Sequence, residues 1–138
     1  MADLIRMSEA TALGLHTMAI VARRRNEPLS TTRIAAELRA SEAHLSKVLQ
    51  QLVRAGLLSS KRGPTGGYAI ARSPDEISLL DVYEALEGPL RTDGCLFTEP
   101  VCRQVSCILG DLVERLRTEA HEHLRSTSLS DAANGKGR

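Results

Sequence analysis

Apolar residues recur at helical spacing in five stretches of the chain, and one interval between them has the marks of a hairpin. Over residues 41–54, Leu45, Val48, Leu49, Leu52 and Val53 fall on one face of a 3.6-residue period. His44, Lys47, Gln51 and Arg54 fall on another face, polar or basic and none of them acidic. Ala55-Gly56 ends this helix, because glycine is favoured just past a helix end. Leu57-Leu58-Ser59-Ser60 then starts a short strand, residues 61–67 (KRGPTGG) make a basic Gly/Pro turn, and residues 68–71 run back.

Ahead of this stretch, residues 8–25 predict a first helix with Ser8 as its cap and Leu15, Met18, Ala19 and Ala22 as its stripe. Arg23-Arg24-Arg25 sits where the helix dipole favours cations, and Asn26-Glu27-Pro28 breaks the helix. A short second helix, residues 32–38 with Ser30 or Thr31 at its start, turns Ile34, Ala35 and Leu38 inward. Arg39-Ala40 leads into Ser41, the cap of the next helix. So tight a turn between two helices is a helix-turn-helix. Arg39 occupies a turn position often held by glycine, which predicts mild backbone strain or a slightly different turn. A helix with a basic polar face, followed by a hairpin with a basic tip, is how a winged helix-turn-helix meets DNA, with the helix in the major groove.

Past the hairpin, Ser78-Leu79-Leu80-Asp81 has the form of a capping box, opening a fourth helix through Val82, Tyr83 and Leu86 that stops at Gly88-Pro89. Residues 90–101 lack periodicity. A long last helix is then expected to about residue 126, with the stripe Val105, Ile108, Leu109, Leu112, Val113, Leu116, Ala120 and Leu124. Its roughly 20 residues would span ~30 Å, more than a small domain needs, so the spare face predicts pairing with a second copy. The expected fold is mainly α with a small β-hairpin wing. Residues 1–88 form the winged helix-turn-helix domain, 89–107 a cysteine loop, 105–127 a dimerisation helix and 128–138 a disordered tail.

Composition narrows this picture. With 138 residues one domain is expected; aromatics are only 2% and Trp is absent, so the core must be aliphatic. No apolar run approaches the ~20 residues of a membrane span, and the N-terminus lacks a secretory apolar region, so a cytoplasmic location without a membrane partner is expected. Residues 1–74 hold 11 Lys/Arg against 5 Asp/Glu, a balance of +6; residues 75–138 hold 7 against 12, a balance of −5. A basic half joined to an acidic half suits a polyanion-binding module with an attached second function. There is no paired acid/base constellation, P-loop or nucleophile–His grouping, so neither an enzyme nor a small-molecule substrate is expected.

The three cysteines, Cys95, Cys102 and Cys107, lie within GCLFTEPVCRQVSC, spaced C-x6-C-x4-C. An odd number in a cytoplasmic chain argues against structural disulfides, and the spacing argues against a zinc finger. Three thiolates with room for a fourth ligand suit an iron–sulfur cluster. Cys107 near a predicted helix N-terminus would be favoured as thiolate. Two of the thiols forming a reversible disulfide is the alternative. An iron–sulfur electron carrier without a DNA role is a more remote one.

RGPTGGY at 62–68, HLSKVLQQLVRAGLLSS at 44–60, EISLLDVYEALEGPL at 76–90 and the three-cysteine loop resemble the IscR/NsrR-type regulators of the Rrf-two family. The similarity covers roughly residues 5–124. It implies a homodimeric winged-helix transcription factor, expected to act as a repressor on a palindromic double-stranded DNA operator. Many members hold an iron–sulfur cluster and sense nitric oxide, oxygen, iron or cluster supply. By the same resemblance Ser41, His44 and Lys47 would touch phosphates and base edges. Arg62 would enter the minor groove, with Thr65, Gly66 and Gly67 letting backbone approach phosphate, and Tyr68 would pack the wing base. Cys95, Cys102 and Cys107 would hold the cluster, of two or four irons. Members commonly use spacing near C-x5-C-x5-C. The position where some members carry a ligating His is Gly110 here; His16 matches a ligand position on the first helix, with Glu9 and Asp111 as other options.

Overall fold

Local capping sets the helix starts. Ser8 accepts a hydrogen bond from the Thr11 N–H (3.2 Å) and opens α1 (Glu9–Arg23). Ser30 accepts from Arg33 N–H (3.2 Å) and opens α2 (Thr31–Leu38); Ser41 accepts from His44 N–H (3.3 Å) and opens α3 (Glu42–Arg54). Each hydroxyl satisfies a backbone donor that the first helical turn leaves free. The computed structural model describes residues 3–24, 27–102 and 106–135. Arg25, Asn26, Val105 and residues 136–138, on which parts of the sequence reading fall, lie outside these.

Arg39, between α2 and α3, adopts the left-handed conformation (φ 52, ψ 40), the strain expected of a non-glycine residue in that turn. Strands β1 (Leu58–Lys61) and β2 (Gly67–Ile70) form an antiparallel hairpin with Leu58 opposite Ile70 and Lys61 opposite Gly67. Leu29, ahead of α2, adds a bridge to this hairpin: its N–H donates to Tyr68 O (3.0 Å) and Tyr68 N–H donates to Leu29 O (2.8 Å). The core beneath is aliphatic. Met18 and Val21 of α1, Ile34 of α2, Leu45, Val48, Leu49 and Leu52 of α3, and Leu57 and Leu58 are all buried.

A 3-10 turn, Pro74–Glu76, leads into α4 (Leu79–Glu87). The Ser78–Asp81 capping box is complete, with Asp81 N–H donating to Ser78 Oγ (3.0 Å) and Ser78 N–H to Asp81 Oδ2 (2.9 Å). α4 packs on α1 and α3. Its polar side chains also seat the segment that precedes α1. Tyr83 donates its hydroxyl to Arg6 O (2.6 Å), and Glu87 accepts from Ser8 N–H (2.9 Å) and Thr11 Oγ1 (2.5 Å).

Two expectations change in the C-terminal third. The last long helix begins at Leu112, not near residue 105: α5 spans Leu112–Ser126. The apolar pattern continues back through Ile108 and Leu109, but Gly110 takes a left-handed φ of 58 and residues 108–111 form turns. α5 packs on α4 through Val113, and Ile108 is 95% exposed. The tail is also ordered over most of its length. Ser128 accepts from Asp131 N–H (3.0 Å) and opens α6 (Leu129–Ala133). Leu79 N–H donates to Thr127 O (3.0 Å), Leu129 N–H donates to Ile77 O (2.7 Å), and Leu129 is fully buried in the shared core against α1. A polar composition hid one core leucine and its cap. No helix among the described residues is long and apolar enough to cross a membrane.

Removing the Leu129 side chain should therefore behave as a core truncation. Leu129→Ala is expected to lower unfolding free energy by about 2–5 kcal/mol in a urea titration, whereas a dispensable tail leaves the midpoint unchanged. Glu87 gives a pH signature. Burial raises its pKa, but hydrogen bonds from Ser8 and Thr11 and the charge of Arg6 more than offset this, leaving it below the ordinary 4.5. A lowered folded pKa means stability fully present above 4.5 and lost as pH falls below it. The urea midpoint of the parent protein should thus fall more steeply below that pH than that of Glu87→Gln.

Candidate nucleic-acid interface and cysteine loop

Burial of Leu45, Val48, Leu49 and Leu52 leaves the opposite side of α3 to solvent. Lys47, Gln51 and Arg54 are exposed there and His44 is half-buried. Ser41, exposed at the start of α3, uses its oxygen lone pair as the helix cap, so its hydroxyl proton remains available to an acceptor such as phosphate. The α2–α3 pair is further tied by Thr32 Oγ1 donating to Glu42 Oε2 (3.3 Å).

The wing tip places Arg62 and Thr65 in solvent, and Gly66 N–H donates to Gly63 O (3.0 Å) to close the turn. Gly66 and Gly67 have a structural reason to be glycine. A Cβ on Gly66 would lie 2.0 Å from Lys61 O; one on Gly67, whose φ is 145, would lie 2.5 Å from Leu29 O. The hairpin crossing and the Leu29 bridge both require bare backbone there. Tyr68, half-buried, packs at the wing base as expected.

The cysteine loop is held by a side chain that sequence reasoning missed. Arg117, on α5, is 3% exposed. Its Nε donates to Leu4 O (2.8 Å) and its Nη2 to Asp3 O (2.7 Å). Its Nη1, with two N–H groups, reaches three acceptors by sharing one of them: Asp93 O (3.1 Å), Asp93 Oδ1 (2.7 Å) and Cys95 O. The signal was available: Arg117 lies four residues after Val113 and three before Ala120, so it interrupts the apolar stripe with a charge. Asp93 is also bonded by Arg91, and that hydrogen bond, with the charges of Arg91 and Arg117, holds its carboxyl below the usual range. Beside this cluster lies a cavity of ≈220 Å³ lined in part by Arg6, Tyr83, Glu87, Arg91 and Arg117. Each of those five side chains is already paired within the chain.

The thiols are free. Cys95 is half-buried, and Cys102 and Cys107 are exposed. Cys107 precedes a turn, its carbonyl accepting from Gly110 N–H (3.0 Å), so it sits five residues ahead of α5 instead of at the helix N-terminus. His16 is exposed on α1 with Nδ1 2.7 Å from Ala12 O. Among the described residues no group of three His, Cys, Asp or Glu side chains is gathered so as to hold a metal ion. The donor set of a single chain therefore does not fit an iron–sulfur cluster in this arrangement, for which three thiolates must converge.

Comparison with known proteins places this geometry. The family model described as Rrf2, iron-dependent transcriptional regulator, matches residues 7–135. The helix-turn-helix transcriptional regulator CymR of Bacillus subtilis is 33% identical over 130 residues, covering 94% of this chain and 90% of CymR. The solved structure of that global cysteine regulator superposes with a TM-score of 0.78 at 32% identity, covering 94% of this chain and 96% of its own. IscR of T. potens superposes at 0.74 and 26% identity, over 95% and 88% of the two chains. An oxidized form of Staphylococcus aureus CymR does so at 0.72 and 29% identity, over 93% and 95%. The helix-turn-helix, the hairpin and the match over nearly the whole length agree: the chain belongs to the Rrf2 family of transcriptional regulators and is not an enzyme.

Proposed function

We propose that this regulator binds a palindromic double-stranded DNA operator as a homodimer and represses from it, and that thiols of the 89–107 loop set its affinity. Three free thiols within thirteen residues, two of them exposed and not gathered around a common centre, carry the thiol reading. Exposed thiols can meet an oxidant. Two of them give up two protons and two electrons to hydrogen peroxide, forming one disulfide while the peroxide is reduced to two waters. The likeness to B. subtilis CymR, described as a global cysteine regulator, and to S. aureus CymR, which has been solved in an oxidized form, supports this reading.

On the DNA side, Ser41, His44 and Lys47 contact phosphates and base edges in the major groove, and Arg62 enters the minor groove. Thr65, Gly66 and Gly67 bring backbone close to phosphate. Phe97, Val101, Ile108, Leu109 and Leu112, all exposed, supply apolar surface for a second copy. Two copies set two recognition helices at a fixed half-site spacing, so a change in the loop alters affinity without touching DNA.

A second reading keeps the cluster, and the family's description as iron-dependent favours it. Cys95, Cys102 and Cys107 would be its ligands after rearrangement, with His16 as the candidate fourth. Iron and sulfide counted per chain in protein purified without oxygen separate the two. Little iron, with peroxide changing operator affinity and dithiothreitol restoring it, is the expected result; near-stoichiometric iron and sulfide replaces the thiol reading with the cluster. Replacing all three cysteines by Ala should abolish the peroxide response in a fluorescence-anisotropy titration on a duplex selected from random sequence. On the same duplex Arg62→Ala should raise Kd at least about tenfold, roughly 1.4 kcal/mol. An unchanged Kd removes Arg62 from the interface.

A further inference from the structure

Arg117 joins two parts of the chain more than eighty residues apart in sequence. One set of its acceptors is the backbone of the cysteine loop, Asp93 O and Cys95 O, together with the Asp93 carboxylate. The other set is the backbone of the N-terminal segment, Asp3 O and Leu4 O. Lysine could not do this. Its three donors radiate from one point, whereas the planar guanidinium presents five in a rigid fork that reaches acceptors on different sides.

From residues 3 and 4 the connection continues into the DNA-binding half. Arg6 O accepts from Tyr83 of α4, and Arg6 pairs with Glu87 at 3.5 Å. Glu87 in turn accepts from Ser8 and Thr11, the cap and first turn of α1. α1 packs on α3, which carries the exposed basic face. Of the large apolar side chains of residues 3–7, Leu4 and Met7 are exposed, Ile5 is half-buried and none is fully buried. The segment is therefore seated chiefly by these polar contacts, and loss of one acceptor group at Arg117 bears directly on it.

We propose that Arg117 is the positioning residue that couples the cysteine loop to the DNA-binding half, so that the backbone setting at Cys95 and the seating of residues 3–7 on α4 change together. The inference rests on the reading that this loop is the sensing element. Its own mechanical content can be tested without DNA or a physiological signal.

The test uses full-length protein carrying Cys102→Ala and Cys107→Ala, so that Cys95 is the only thiol. Cys95 is alkylated with iodoacetamide to completion, as read by intact mass, and hydrogen–deuterium exchange is followed by NMR at the Ser8 amide, which donates to Glu87 Oε1 (2.9 Å). Coupling predicts at least fivefold faster exchange there after alkylation, with the amides of α3 protected as before. Arg117→Lys in the same background should show the faster exchange before alkylation and no further rise after it. A purely structural role for Arg117 lowers thermal stability but leaves exchange at the Ser8 amide insensitive to Cys95. Unchanged exchange after complete alkylation overturns the coupling. If Arg117→Lys does not fold, the alkylation comparison decides alone. A wild-type operator affinity indifferent to peroxide instead overturns the sensing reading, whichever way the exchange result falls.

Discussion

Burying the aliphatic face of α3 is the constraint on which the DNA-binding half depends. With two tyrosines, one phenylalanine and no tryptophan in 138 residues, the core has few large anchors. It is fixed by many small ones, each buried Leu or Val contributing about 1.5–3 kcal/mol. Leu45, Val48, Leu49 and Leu52 are all buried on one side. Rolling α3 by even one residue's turn would put an apolar side chain into water and a polar one into the core. The orientation of His44, Lys47, Gln51 and Arg54 is thus a by-product of packing. The wing is fixed by the same core, because Leu57 and Leu58 are buried at its start and Leu29 pairs with Tyr68 at its base.

The junction of α4, α5 and the N-terminal segment is built differently. Val113 and Leu80 supply buried apolar surface, but the joining side chains are Tyr83, Glu87 and Arg117. Burial raises the Tyr83 pKa, with the nearby Glu87 charge adding to it, so the phenol stays neutral and remains a donor to Arg6 O. Glu87 is only 7% exposed and is matched by two hydroxyl-bearing residues and a cation. Apolar contacts loosen gradually as groups move apart. A buried charge with fixed partners does not, because losing one partner leaves a desolvated group unsatisfied. Such a junction favours a few discrete arrangements over a continuum, which is what a switching element needs.

How much of this was legible in the sequence follows from how local each cause is. Ser8, Ser41 and the Ser78–Asp81 pair act within one helical turn, and their patterns led directly to the observed caps; for α2 the pattern left Ser30 and Thr31 open, and Ser30 is the cap. The left-handed Arg39 is one of two outcomes expected where a non-glycine residue takes a turn position often held by glycine, the other being a different turn. The start of α5 was misread because the apolar period runs on through Ile108 and Leu109, while the glycine that ends the helix backwards, Gly110, is a single residue within it. α6 was missed because five residues are too few for a periodic signal; that helix exists through the tertiary burial of Leu129 and its pairing with Ile77. Of the residues proposed to face DNA, the exposure of Lys47 could be anticipated from periodicity, but the steric need for Gly66 and Gly67 could not, because the atoms they avoid belong to Lys61 and Leu29.

The cysteines show the same limit in chemical form. Spacing says only that three thiols share one loop. Whether they serve as a ligand set or as a redox pair depends on convergence, which is tertiary, and on exposure, which is also tertiary. Here Cys102 and Cys107 lie exposed, while Cys95 lies half-buried where Arg117 grips the backbone. That division suits two physical tasks in one loop. In the proposed function the exposed thiols meet the reagent, and in the proposed coupling the gripped one passes a backbone displacement into a buried polar junction. An aliphatic contact at Cys95 would absorb a shift of a few tenths of an ångström. A guanidinium whose other hydrogen bonds hold residues 3 and 4 has little room to do so, because its donors are fixed in one plane.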